Sequence, residues 1–169
     1  MEGVSEQSII GLSAGLALEG FKPYVNTIAT FITRRCFEQV AIDLCLHKLP
    51  VKLIGNGGGL VYAPLGPTHQ AIEDISIMRT LPNMTIIAPC DAVEMKELVK
   101  QSVNHKNPMY IRLARGGDKI ITSHSETIKL GKAILKIEPK EHLFITTGVM
   151  TQLAIEASKR LDKEMNIKC

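Results

Sequence analysis

Tryptophan is absent, and the aromatic side chains amount to four Phe and three Tyr in 169 residues. A core without large rings must be built from aliphatic side chains, so each aromatic has a position to account for. Cysteine is scarce as well. Cys36, Cys45, Cys90 and Cys169 show no CxxC or Cys/His ligand spacing; this argues against a zinc ribbon or a redox pair and reads as reduced thiols in a cytoplasmic protein. No apolar run approaches the ~18 residues of a membrane span. The net charge is only +3, too small an excess to announce a nucleic-acid or membrane surface. With 45% hydrophobic and 22% charged residues, wholesale disorder is excluded too. A length of 169 residues leaves one full domain, or one plus a fragment.

What is present alternates in period. Ser5 can cap a helix over 6–19 with an apolar face of Ile9, Ile10, Leu12, Leu16 and Ala17, ended by Gly20. The β-branched run 23–29 reads as a strand. Ile32, Cys36, Val40, Leu44 and His47 predict a helix over 31–48, stopped by Pro50. Then come a strand at 51–55, a long Gly-rich loop at 56–70, a short helix at 71–80 and a strand at 84–89. Asp91 can cap a helix at 92–105, followed by a strand at 109–114. Such alternation predicts an α/β fold, a parallel sheet flanked by helices, with ligands beyond the carboxyl ends of its strands. Residues 118–130 are polar and turn-rich, a candidate linker. After it the pattern restarts with Lys132–Glu138 and His142–Gly148, then a helix at 149–164. Both ends look cut, and the last 40 residues hold no complete core.

Several residues have chemical potential without naming a reaction. Glu6 in a first helical turn is either a carboxylate favoured by the helix dipole or an acid aimed at a cofactor nitrogen. Phe31, at a strand-to-helix turn, is either a core ring or a stacking face for a planar heterocycle. The loop ahead of His69 fits neither the P-loop nor GxGxxG. His69 itself could donate to substrate oxygens or serve as a local hydrogen-bond partner. Arg112 and Arg115 could pair a substrate phosphate or form surface ion pairs. The adjacent Arg34 and Arg35 are open in the same way, and a helix can present only one of the two to a pocket.

Taken together, GVSEQSIIGLSAGLALEG (3–20), TIATFITRRCFEQV (27–40), GPTHQAIEDISIMRTLPNMTIIAPCDAVE (66–94) and PMYIRLARG (108–116) resemble the pyrimidine-binding domain of transketolase-type, thiamine-diphosphate-dependent enzymes. That family includes transketolase, 1-deoxy-xylulose-5-phosphate synthase and the β subunit of 2-oxo acid dehydrogenase decarboxylases. The resemblance implies a thiamine-diphosphate-binding fold over 1–117 whose N-terminal part is missing, a linker at 118–130, and the truncated beginning of the family's C-terminal α/β domain at 131–169.

It also implies roles. Glu6 falls on the glutamate that hydrogen-bonds the aminopyrimidine of the cofactor and promotes the imino tautomer that removes the thiazolium C2 proton. Phe31 falls on the aromatic that stacks on that ring, with Phe37 a second cofactor-binding candidate. His69 matches the substrate-channel histidine, catalytic in proton transfer. Arg115, and after it Arg34, match a substrate-phosphate arginine. Leu65, directly before Gly66, stands where relatives often carry an aspartate that contacts a substrate hydroxyl. The family's Gly-Asp-Gly…Asn segment, which holds the diphosphate and Mg²⁺, has no counterpart here, so Mg²⁺ is expected on a partner domain or subunit and no metal ligands on this chain. The resemblance therefore implies a part or subunit of a transketolase-like transferase in a homo- or hetero-oligomer, acting on a sugar phosphate or keto acid. The alternatives are a 1-deoxy-xylulose-5-phosphate synthase, a decarboxylase β subunit, or an inactive remnant or interaction module.

Overall fold

The computed structural model describes residues 4–123 and 125–169. They cluster into two compact units, one running to Ala88 and resuming over Ser102–Arg115, the other made of Pro89–Gln101 and Gly116–Cys169.

The first unit is built on a parallel sheet of β1 (Tyr24–Ile28), β2 (Lys52–Asn56), β3 (Thr85–Ile87) and β4 (Met109–Leu113), in the order β1-β2-β4-β3. Ile28 pairs with Asn56 and Asn56 with Leu113, so these strands end together at their carboxyl edge. Parallel neighbours need crossovers, and the helices supply them. The predicted parallel α/β sheet is the one observed.

Helix α1 (Glu6–Leu18) has Ser5 at its N-cap, although the hydroxyl makes no capping bond. Its end follows the prediction. Gly20 takes φ +90°, its N–H donates to the Ala17 carbonyl at 3.1 Å, and the Phe21 N–H reaches the Leu16 carbonyl at 3.1 Å. That is a Schellman closure, which needs a left-handed residue at this point. The buried face, however, is Ile10, Ala14 and Ala17, whereas Leu12, Leu16 and Leu18 are exposed. The helix is apolar on both sides, so periodicity alone could not choose the inner one.

The single helix predicted over 31–48 is a correction. The chain forms α2 (Ala29–Thr33), a turn at 34–36, a one-turn α3 (Phe37–Gln39) and a π-helical stretch Val40–Leu46. Two local bonds favour the break. The Thr33 hydroxyl donates back to the Ala29 carbonyl at 2.6 Å, and the Cys36 thiol to the Phe31 carbonyl at 3.1 Å. Ile32, Cys36, Val40 and Leu44 still reach the core as the spacing required, whereas His47 is exposed; the continuity and the far end of the helix were misjudged.

Helix α4 (Asp74–Arg79) starts later than residue 71 because Ala71 is held by Gly59 through paired backbone bonds of 2.7 and 2.9 Å. At the amino edge of the sheet Lys52 is fully buried and donates to the carbonyls of Pro50 and His105, each at 2.8 Å. Burial, then the nearby Lys22, pushes its ammonium down to about 8.

In the second unit, Asp91 caps α5 (Ala92–Ser102) as predicted, accepting from the Val93 and Glu94 N–H groups at 3.0 and 2.9 Å. Its other oxygen accepts from Ile121 and Thr122 at 2.8 and 2.7 Å. Burial alone would raise this carboxyl, but those backbone donors hold it below the usual range. Gln101 fastens the same polar stretch by bonding Ile128 and Leu130. Helix α6 (Met150–Met165) closes the unit, with Gln152 donating to the Cys90 and Lys119 carbonyls. The strand pattern predicted to restart at 132–138 and 142–148 is not realised: among the described residues these segments join no ladder. A strand needs a neighbouring edge, and the His142 N–H instead donates to the Lys168 carbonyl. Among the described residues no helix is long and apolar enough to cross a membrane.

Candidate functional site

Beyond the carboxyl end of β1 the chain enters α2 through Thr30 and Phe31, and there a cleft of about 310 Å³ opens, lined by Thr30, Phe31, Arg34, Arg35 and Thr68. Because α2 stops at Thr33, the next two residues are not bound by helical geometry. Both arginines face the cleft, contrary to the expectation that only one could. Arg34 Nε pairs with Glu73 Oε1 at 3.0 Å and its Nη2 donates to the Pro67 carbonyl at 3.3 Å. Arg35 Nη1 donates to Glu6 Oε2 at 2.7 Å.

Glu6 is buried at 7% exposure, whereas the Arg35 side chain is 43% exposed. The guanidinium carbon of Arg35 lies 4.2 Å from the centroid of the Phe31 ring, a cation–π contact. Phe31 in turn meets His69 edge-on, with centroids 5.1 Å apart and planes at 68°. His69 Nδ1 shares a 2.9 Å hydrogen bond with the Thr68 hydroxyl. Glu6, Phe31 and His69, separate in sequence, thus form one connected chain through Arg35. The Thr30 hydroxyl is buried in this wall without a partner among the described residues. An orphaned buried hydroxyl costs about 1–3 kcal/mol unless a ligand or water meets it. Beneath the cleft, burial followed by the charge of Glu6 pushes the Cys36 thiol up to about 11, with Arg35 opposing; it stays protonated and unreactive.

The loop carrying His69 is braced from below. Asp74 Oδ2 accepts from the Tyr110 hydroxyl at 2.7 Å and from Arg112 Nε at 2.8 Å, while Arg112 Nη2 reaches the Ala71 carbonyl at 3.3 Å. Burial, then the Asp74 charge, pushes the Tyr110 phenol far above its ordinary range. Gly58 is required here: a Cβ would sit 2.6 Å from Arg112 Nε. Arg112, a phosphate candidate in the sequence, is therefore committed to this brace.

The other candidates fall elsewhere. Phe37 is half-buried against the hydrophobic core and is not among the residues lining the cleft, because the turn at 34–36 rotates it inward. Arg115 is exposed two residues past β4, outside the cleft lining. Leu65 ends a short 3₁₀ turn and is exposed. Arg35 and Thr30 are the site residues that sequence reasoning undervalued. The adjacency of Thr30 to Phe31 was a usable signal; nothing local distinguished Arg35 from Arg34.

The family described as transketolase, pyrimidine binding domain, matches residues 2–117. The chain is 36% identical over 160 residues to an apulose-4-phosphate transketolase subunit of Phocaeicola vulgatus, covering 94% of this chain and 51% of that one. It is 39% identical over 166 residues to 1-deoxy-D-xylulose-5-phosphate synthase of Clostridium perfringens, covering 98% of this chain and 26% of the synthase. Among solved structures it is similar to a split-gene transketolase described as an inactive β4 tetramer, with TM-score 0.87 and 36% identity over 98% of this chain and 53% of that one. The chain thus spans about half the length of the transketolase subunit and of the split-gene transketolase, and about a quarter of the synthase.

Proposed function

The chain belongs to the transketolase pyrimidine-binding family, and from that premise we propose that it supplies the pyrimidine half of a thiamine diphosphate site in a transketolase-like transferase. The observation that carries this reading is the chain of contacts that joins a buried carboxylate, Glu6, through Arg35 to the aromatic face of Phe31 in the cleft wall, and Phe31 to His69. The residues fit the group: Phe31 offers a stacking surface, Glu6 an acid for a ring nitrogen, and the orphaned Thr30 hydroxyl an unused donor and acceptor.

When bound, thiamine diphosphate supplies an acidic thiazolium carbon through which a two-carbon ketol or acyl unit moves from an α-keto donor to an aldehyde. Glu6 holds and exchanges a proton with the ring nitrogen. Phe31 fixes the plane of the ring. His69, set by Thr68, moves a proton at the substrate hydroxyl or carbonyl. Arg34 and the exposed Arg115 are the groups for a substrate phosphate.

We assign residues 1–117 to the pyrimidine domain, 118–130 to a linker and 131–169 to the beginning of the family's C-terminal domain. The diphosphate and Mg²⁺ fall to a partner domain or subunit. The outward Leu12, Leu16 and Leu18 of α1 support such a partner, since an all-apolar helix calls for cover on both sides. The likeness to a split-gene transketolase described as an inactive β4 tetramer supports dependence on it. The complex is a cytoplasmic oligomer. The 39% likeness to a 1-deoxy-xylulose-5-phosphate synthase supports a second reading, in which the donor is an α-keto acid.

The test is Glu6→Gln, which keeps volume and a hydrogen bond but cannot exchange the proton. In complex with the diphosphate-binding partner, C2-proton exchange of the cofactor followed by NMR should slow by about 10²–10⁴-fold, the worth of a positioned proton-transfer group. Exchange as fast as in the wild type sinks the reading.

A further inference from the structure

We infer that Arg35 is a built-in occupant of the pyrimidine site, and that a ligand ring reaches Glu6 only after the Arg35 guanidinium has swung out. The inference rests on the reading of this cleft as a pyrimidine site. An aminopyrimidine is flat, stacks on an aromatic face and engages a carboxylate through its ring edge. The guanidinium of Arg35 has the same three attributes and uses them on the same two groups: its carbon lies 4.2 Å from the Phe31 centroid and its Nη1 lies 2.7 Å from Glu6 Oε2. A ring crossing that face of Phe31 toward Glu6 meets the guanidinium first.

The arrangement has a physical purpose in the unliganded chain. Glu6 is 7% exposed, and a buried carboxylate without a partner is costly. Arg35 compensates that charge until another cation or donor replaces it. Its exit is local: the Arg35 carbonyl is held by the Gln7 side-chain amide at 3.1 Å, so the backbone can stay while the side chain turns into solvent. That the side chain is 43% exposed leaves it a path. Displacement lowers the apparent affinity of the ring by the fraction of molecules in which the site is open.

The experiment titrates the full chain, assembled with its diphosphate-binding partner, with thiamine, which carries the ring without the diphosphate, and follows it by NMR. Arg35→Ala should bind thiamine about tenfold more tightly than the wild type, the scale of one charge-assisted contact. Arg35→Met, which keeps the aliphatic stem, should do the same and carries the comparison if the alanine variant folds poorly. In the wild type itself, the Arg35 side-chain ¹⁵N signals should move toward those of a solvated arginine as thiamine saturates, a readout that needs no variant. If thiamine binds wild type and Arg35 variants equally and those signals stay fixed, while Glu6→Gln weakens binding, Arg35 is a plain structural ion pair and the pyrimidine reading survives. If neither Glu6 nor Arg35 affects thiamine, or thiamine does not bind, the pyrimidine reading fails and the inference falls with it.

Discussion

Two of the arginine–carboxylate pairs in the first unit are built for opposite purposes. Asp74 is 1% exposed and its arginine 19%; Glu6 is 7% exposed and its arginine 43%. Around Asp74 the pair is cross-linked: Tyr110 adds a second donor to the same oxygen, Ala71 takes another N–H of Arg112, and Gly58 leaves no spare room. Around Glu6 the arginine has one carboxylate bond and one ring beneath it. An ion pair with several buried neighbours is a brace, because moving any member strands the others. An ion pair with one wet member is exchangeable. The first holds the His69 loop, and the second guards the face on which chemistry is proposed.

The sharpest way to break this comparison is to remove each arginine in turn. Arg112→Ala leaves Asp74 buried and charged, and chemical denaturation should show a loss of about 3–5 kcal/mol. Arg35→Ala also strands a buried carboxylate, but the half-exposed site lets water reach Glu6, so the cost should be smaller, about 1–2 kcal/mol. Equal losses would mean that the two pairs do not differ in kind.

Arg115 extends the comparison to an exposed arginine outside the cleft lining. In the assembled enzyme Arg115→Ala should weaken phosphorylated acceptors about tenfold or more while sparing unphosphorylated ones, since only the former lose a charge-assisted bond. Matching losses in kcat/KM for both would make it structural.

The smallest effect concerns two buried thiols and Lys52, the last at the amino edge of the sheet. Burial pushes the Cys45 thiol up to about 11, as burial and then Glu6 do for Cys36, from the ordinary 9.0. Unfolded thiols lose protons before folded ones do, so the stability they contribute is intact below about pH 9 and is lost as pH rises toward 11. Lys52 acts in the other sense. Its ammonium, lowered to about 8 from 10.5, opposes folding while charged, and that opposition fades as pH rises through this range. Denaturation curves between pH 8 and 10.5 should therefore fall more steeply for Lys52→Met than for the wild type. Parallel curves would show that Lys52 keeps its proton in the fold.

Much of the fold was legible because its signals are local. Gly20 closes α1 by a left-handed turn that a side chain resists, and Asp91 caps α5 through two adjacent N–H groups. Within the site, Glu6 and Phe31 could be singled out by their places at a helix start and a strand end. The helix over 31–48 was misread because its spacing satisfied the core whether or not the turns were continuous. Hydrophobic period reports which face is inside, not whether every carbonyl finds its i+4 partner.

The amino-acid sequence by itself determined the alternating elements, the parallel sheet they imply and the family whose motifs they carry. Only the tertiary structure decided which arginine meets which acid. Arg35 and Glu6 are 29 positions apart, and Arg112 and Asp74 are 38. No propensity or period acts over such spans; the pairs exist because the sheet brings distant loops together and because a buried charge must find its counterion there.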